Sequence, residues 1–273
     1  MLFDLHTHTT ASDGTLRPRE LVKLAGKHGL KGLAITDHDT VDGIPEGLVA
    51  GRDYQVEVLP GVELSTSFGG HEVHILGYLI DWKADGLREA LATMTEQRLN
   101  RAEKILSRLS RLGLPLDFGE VQRIAGDGVI GRPHLAAAMV KRGYVQDVRE
   151  AFSRFLGKGA PAYVAREKLT LEEAIRLLTD AGGVPVLAHP GLIGDARLIV
   201  SIIERGIKGI EVYYPEHTPD QRQYYLRLCQ SYRLIATGGS DYHGAVRNVK
   251  LGYCAVDFQT VKQLRDKQEE YYA

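Results

Sequence analysis

Residues 1–39 read MLFDLHTHTTASDGTLRPRELVKLAGKHGLKGLAITDHD. An apolar run, Leu2–Leu5, leads into His6-Thr7-His8, and a second, Gly32–Thr36, leads into Asp37-His38-Asp39. Between them, Arg19–His28 places Leu21, Leu24 and Ala25 on one face of a helix, with Gly29 at its C-cap. Strand, helix, strand is a βα unit, the repeat of an α/β fold. Residues two apart in an extended chain share a face, so His6 and His8 can bind one metal ion.

The same punctuation recurs along the chain. Further strands are expected at Val56–Leu59, Val73–Leu79, Val184–Ala188, Gly209–Tyr213, Leu234–Thr237 and Cys254–Val256. Leu171–Ala181 reads as a helix with Thr170 and Glu173 as its capping box. Glu63 follows Val-Leu-Pro-Gly-Val, and His74 lies in His71-Glu-Val-His-Ile-Leu-Gly. His189 follows Val-Pro-Val-Leu-Ala, and Asp241-Tyr242-His243 follows Ile-Ala-Thr-Gly-Gly-Ser. A candidate ligand thus stands at or just past the carboxyl end of nearly every expected strand, the edge where barrels and open α/β sheets collect functional residues. Unrelated core histidines have no reason to fall so regularly, and the set points to a multinuclear metal site.

One stretch lacks core strands. Residues 85–168 carry a helical stripe (Leu87, Leu91, Met94, Arg98, Ala102, Ile105, Leu109, Leu112) ended by Gly113 and Pro115. Helices also fit Glu120–Ala125, Pro133–Arg142 and Val148–Phe155. The expected organisation is a discontinuous barrel, 1–84 and 169–273, with 85–168 as a helical insertion forming a lid over the substrate. Lys262–Glu270 reads as a solvated helix.

Composition narrows the class. Lys+Arg is 34 and Asp+Glu 35, a net charge of −1 over 273 residues, which argues against coating nucleic acid by bulk charge. Cys229 and Cys254 make no disulfide framework. The start lacks a basic n-region and an apolar h-region, and no window approaches the ~20 apolar residues of a membrane span. A cytoplasmic protein is expected, with no membrane contact and no protein partner indicated.

Taken together, His6-x-His8, Asp37-His38-Asp39, Pro60-Gly61-x-Glu63, His74, Ala188-His189-Pro190 and Ser240-Asp241-x-His243 resemble the motifs of the polymerase and histidinol phosphatase (PHP) phosphoesterases. The resemblance implies a distorted (β/α)₇ TIM-like barrel with up to three metals. It places His6, His8, Glu63 and Asp241 on the first metal and makes Glu63 a bridge to a second, held with His74 and His189. Asp13, His38 and His243 hold the third; Asp13 departs from the histidine many members carry there. Six imidazoles and three carboxylates suit two or three Mn, Fe or Zn ions better than Mg.

Asp4, Asp37 and Asp39 are read as carboxylates that orient imidazoles, and Glu211 as a candidate facing the cavity. Gly131-Arg132-Pro133-His134 opens a helix and resembles the phosphate-contacting segment of nucleotide-acting members. Arg132 and His134 then bind phosphate, with His134 protonating the leaving oxygen. Lys158, in a glycine-rich loop that is no Walker motif, and Arg247 are further candidate substrate contacts. Trp82 and the tyrosines at 213, 214, 224 and 225 read as packing.

The resemblance is to stand-alone members acting on nucleoside 3′,5′-bisphosphates or trimming short 5′-phosphorylated RNA. A metal-activated hydroxide attacking a terminal phosphate ester is the implied chemistry. The near-neutral charge favours a mononucleotide or short oligonucleotide. Alternatives are a histidinol phosphate phosphatase and a non-catalytic metal- or nucleotide-binding module. An amidohydrolase barrel also begins His-x-His but uses a bridging lysine, for which no strand-end Lys is found.

Overall fold

In the computed structural model, which describes residues 1–126, 128, 130–165 and 168–270, the strands are β1 (Leu2–Thr7), β2 (Gly32–Ile35), β3 (Glu57–Phe68), β4 (His71–Tyr78), β5 (Leu169–Thr170), β6 (Val184–Leu187), β7 (Gly209–Tyr213), β8 (Ile235–Gly238) and β9 (Val256–Asp257). They pair in the order β8-β7-β6-β4-β3-β2-β1-β9, with the short β5 on β3. β1–β2–β3 and β6–β7–β8 are parallel runs. β4 is antiparallel to both β3 and β6. The result is a nearly closed eight-strand barrel, or seven strands when the brief antiparallel β9 is set aside, and the distortion of the expected barrel lies in β4.

That inversion corrects two readings. β3 does not stop at Leu59; it runs through Pro60 to Phe68. It then turns through Gly69 and Gly70, both at positive φ, into β4, the two-residue hairpin geometry that glycine allows. His74 therefore does not sit at a carboxyl end. It lies inside an antiparallel strand, opposite Ser65.

Ten α-helices surround this sheet among the described residues: α1 (Pro18–Lys27), α2 (Ile44–Tyr54), α3 (Asp85–Arg111), α4 (Phe118–Ala125), α5 (Arg132–Lys141), α6 (Val148–Ala151), α7 (Leu171–Asp180), α8 (Ala196–Ile203), α9 (Pro219–Tyr232) and α10 (Phe258–Glu269). α6 runs on into a π turn, Phe152–Leu156. α3 serves two cores. Leu87, Leu91 and Met94 pack with the barrel's outer apolar layer, while Ala102, Ile105 and Leu109 pack with Val121, Leu135, Met139 and Leu156 of the helical stretch. None of the helices is long and apolar enough to cross a membrane, among the described residues.

Among the described residues, the backbone of β1 pairs with the chain after β8 only at one end. Thr7 bridges Tyr242, with His8 N–H donating to the Tyr242 carbonyl at 2.9 Å and Tyr242 N–H to the His6 carbonyl at 3.3 Å. Gly239 makes this approach possible. A Cβ there would lie 2.4 Å from both the Cβ and the backbone N of His6 and 2.8 Å from its Cα. Backbone cannot yield as a flexible side chain does, so Gly239→Ala is expected to destabilise by about 1–3 kcal/mol or more, as overpacking does. Gly86→Ala, with open space around its Cβ, is the control. Equal melting temperatures for the two variants would contradict this closure.

Candidate metal centre

The barrel's closure carries Asp241 and His243 against His6 and His8. On the other side, the β2–β3 pairing continues past β2 through a His38–Glu63 bridge, with Asp39 N–H donating to the Glu63 carbonyl at 3.0 Å. Val62 and Leu64 of β3 pack among the outer apolar residues. Alternation along the strand then turns the side chain of Glu63 the other way, where it is fully buried.

All nine residues expected as ligands gather around that carboxylate. Glu63 Oε2 lies 3.1 Å from His6 Nε2, 3.2 Å from His8 Nε2 and 3.2 Å from His38 Nδ1. Glu63 Oε1 lies 2.7 Å from His74 Nδ1 and 2.9 Å from His189 Nε2. Asp241 Oδ1 is 3.1 Å from His8 Nε2 and 3.5 Å from His6 Nε2. Asp13 Oδ1 is 3.2 Å from His243 Nε2 and 3.9 Å from His8 Nδ1. Three sets have ligand atoms within 4.8 Å of one another: His6, His8, Glu63 and Asp241; His38, Glu63 and His74; and His8, Asp13, His38 and His243. The first is the set implied for the first metal. His38 and His8 each stand in two sets, so the three groups form one connected centre.

This centre is chemically suited to cations. Both ring nitrogens of His8, Nδ1 of His38 and Oδ1 of Asp241 are buried with no hydrogen-bond partner among the described residues. They lie close to neighbours but not along their donor directions, as ligand atoms converging on a shared point do. Orphaned buried polar atoms are costly, about 1–3 kcal/mol each, and a cation among them accounts for the arrangement.

The electrostatics agree. Burial opposes ionisation of Glu63 and Asp241, yet the imidazoles around them hold both well below the usual carboxylate range. Burial likewise opposes protonation of His8 and His74. Asp241 and Glu63 nevertheless raise His8 to about 10, and Glu63 with Glu72 raises His74 to about 9. Burial, with His8 and His74 crowding it, lowers His38 to about 3.

The outer carboxylates act differently from expectation. Asp37 accepts from Thr9 N–H and from the hydroxyls of Thr9 and Ser12, fixing the loop after β1. Asp4 accepts from the backbone and hydroxyl of Ser240 and from Gly252 N–H, fixing the loop that carries Asp241. Asp39 accepts from the backbone and hydroxyl of Ser65 and pairs with Arg98 of α3. The carboxylates on imidazole nitrogens are Glu211, 2.9 Å from His6 Nδ1, and Glu72, 3.2 Å from His74 Nε2. A glutamate inside the otherwise apolar strand Gly209–Tyr213 is the sequence signal for Glu211. Arg98 was hidden within an apolar helical stripe. Tyr214, read as packing, donates to Asp241 Oδ2 at 3.1 Å; burial and Asp241 push its phenol up, so it keeps its proton.

The expected substrate contacts fall into two groups. Arg247 reaches the centre, pairing with Asp241 and Tyr214. His134 is buried; its Nδ1 accepts Gly131 N–H at 3.1 Å, and burial lowers its pKa with Asp13 and Arg98 close enough to be felt. Arg132 instead lies over the rings of Phe152 and Tyr163 and donates to the Leu156 carbonyl at 3.4 Å. Lys158 is exposed. No hydrogen bond or ion pair joins Arg132 or Lys158 to the nine, among the described residues.

With this geometry established, relatives become informative. The PHP domain profile matches residues 4–174. The chain belongs to the PHP family. It is an enzyme, a metal-dependent phosphoesterase. The 5′-3′ exoribonuclease Rnm of Escherichia coli K12 is 35% identical over 259 residues, spanning 92% of this chain and 88% of that protein. The 3′,5′-nucleoside bisphosphate phosphatase of Chromobacterium violaceum is 35% identical over 246 residues, 88% of this chain and 86% of that one. A crystal structure from Bifidobacterium adolescentis, described as a metal-dependent phosphoesterase, superposes with a TM-score of 0.90 at 31% identity, covering 97% and 96% of the two chains.

The proton balance of this PHP enzyme makes a prediction. His8 and His74, raised to about 10 and about 9, are protonated near neutral pH in the metal-free protein. An entering divalent ion must displace those protons. The Mn²⁺ association constant is expected to rise between about pH 6 and 9, by about tenfold per unit for each proton displaced. Calorimetry in buffers of different ionisation enthalpy counts the protons; pH-independent affinity without proton release would contradict the assignment.

Proposed function

We propose that this PHP enzyme removes a terminal phosphate from a nucleotide, either a nucleoside 3′,5′-bisphosphate or the end of a short 5′-phosphorylated RNA. The observation that carries this reading is the Glu63-centred cluster together with His134 at the start of α5, which feels the charge of Asp13 in that cluster. The exoribonuclease and bisphosphate phosphatase relatives align over nearly the whole chain, helical stretch included.

In this reading His6, His8, Glu63 and Asp241 would hold one ion, and Glu63 with His74 and His189 would hold a second. Asp13, His38 and His243 would hold a third. The mixed nitrogen and oxygen donors suit Mn, Fe or Zn. When bound, such ions would supply Lewis acidity and an activated water, the chemistry that in-line displacement at phosphorus needs.

The chain's own residues do the rest. His134 Nδ1 is occupied by Gly131 N–H, so in the neutral ring Nε2 carries the proton. In this reading Nε2 is the atom that would donate to a phosphoryl oxygen or to the departing oxygen. Tyr214 and Arg247 fix one oxygen of Asp241, leaving Oδ1 to the centre. Residues 85–168 serve as the lid, anchored to the barrel through Arg98 on Asp39. Arg132 and Lys158 complete the phosphate contacts when substrate draws them in from their present positions.

The test is phosphate and nucleoside release from adenosine 3′,5′-bisphosphate, AMP, a 5′-phosphorylated RNA dinucleotide and histidinol phosphate, with Mn²⁺ and with chelator. Turnover of the bisphosphate or the RNA is expected, abolished by chelation and restored by Mn²⁺. Chelator-resistant turnover, or faster turnover of histidinol phosphate than of any nucleotide, would overturn the proposal.

A further inference from the structure

Glu211, in β7, has no exposed surface and touches two separate parts of the metal centre. Its Oε1 lies 2.9 Å from His6 Nδ1, and its Oε2 accepts the backbone N–H of His189 at 2.8 Å. The far nitrogen of His6 faces Glu63 Oε2 and Asp241 Oδ1. The Nε2 of His189 faces the other Glu63 oxygen, Oε1.

Building on the metal assignment proposed above, we infer that Glu211 is a positioning residue that sets both halves of the centre at once. It fixes the ligating tautomer of His6 and holds His189 in a strained backbone conformation. A carboxylate only accepts hydrogen bonds. His6 therefore carries a hydrogen on Nδ1, and the lone pair of its neutral ring lies on Nε2, the atom that faces Glu63 and Asp241. His189 has φ 27° and ψ 60°, in the positive-φ region that residues with side chains avoid. The bond from its N–H to Glu211 secures that backbone, and the backbone aims the ring at Glu63. One buried carboxylate thereby couples the ligand geometry on the two sides of Glu63.

Glu211→Gln separates this role from simple packing. A backbone N–H can only donate, so the amide oxygen must face His189. The amide NH₂ is then left facing His6 Nδ1, which must accept from it. The neutral His6 ring now carries its proton on Nε2 and offers a metal no lone pair. Volume and hydrogen-bond count are kept, while the tautomer is reversed.

The experiment compares wild type and Glu211→Gln by thermal melting, by Mn²⁺ titration with bound metal measured by elemental analysis, and by nitrogen-detected NMR of ¹⁵N-histidine-labelled wild type loaded with Zn²⁺. Glu211→Gln is expected to melt cooperatively and to bind Mn²⁺ about 10- to 100-fold more weakly. The His6 ring of the Zn²⁺-loaded wild type, identified by its absence in His6→Asn, is expected to show a protonated Nδ1 and a metal-bound Nε2. Unchanged Mn²⁺ affinity in Glu211→Gln overturns the inference, as does metal on Nδ1 of His6. If the variant fails to fold, the wild-type spectrum alone decides. A wild type that binds no divalent metal overturns the metal assignment itself, and this role with it.

Discussion

One buried carboxylate organises this molecule. Glu63 has no solvent exposure, and five imidazoles, those of His6, His8, His38, His74 and His189, approach its two oxygens within 3.2 Å. An isolated buried carboxylate is strongly unfavourable unless positive charge or donors surround it. Three irregularities of the barrel serve that encirclement. β3 runs on past Pro60 so that Glu63 lies within it, and the Gly69–Gly70 hairpin returns β4 antiparallel to bring His74 alongside. The β2–β3 pairing continues far enough to deliver His38. A regular parallel βα unit at this position would have put a helix where His74 stands.

Three of the six non-glycine residues with positive φ among the described residues stand in or beside the centre. Asp39, His189 and Asp241 all have positive φ without being glycine, a condition that costs about 1–3 kcal/mol each and persists only when neighbours enforce it. Each is held by identifiable neighbours. Asp39 is tied to Ser65 and Arg98, His189 to Glu211, and Asp241 to Tyr214 and Arg247. Two of those tethers reach across the fold: Arg98 comes from α3 of the helical stretch, and Glu211 from β7. Strain in and beside the centre is thus supported by parts of the chain remote in sequence, which links the precision of the site to the integrity of the whole fold.

Much of this was legible in residue order. Period-two spacing in His6-x-His8 and the repeated placement of ligand types after apolar runs led to the α/β class and to eight of the nine residues that the fold gathers; the seven-strand barrel and Asp13 came from the family resemblance. The helical stripe from Leu87 to Leu112 was equally plain. What escaped reading was non-local. A strand that continues through a proline looks finished at Leu59, because proline in a strand ordinarily marks an edge or an end. Asp37 and Asp4 flank or precede histidines and so looked like partners for imidazoles, yet they bind loop backbone. Which neighbour a short carboxylate meets is decided by loop path, and residue order does not record that path. Arg98 and Tyr214 belong to patterns that read equally well as packing; only the tertiary fold shows that the guanidinium of Arg98 reaches Asp39 and the phenol of Tyr214 reaches Asp241.

The most direct measurement is anomalous diffraction at the manganese edge from crystals equilibrated with Mn²⁺. With Glu63 as the shared ligand, two anomalous peaks should lie within about 2.0–2.2 Å of its carboxylate oxygens, one on the side of His6, His8 and Asp241 and one on the side of His74 and His189. Peaks that avoid Glu63 at saturating Mn²⁺, with its oxygens still hydrogen-bonded to imidazoles, would contradict it.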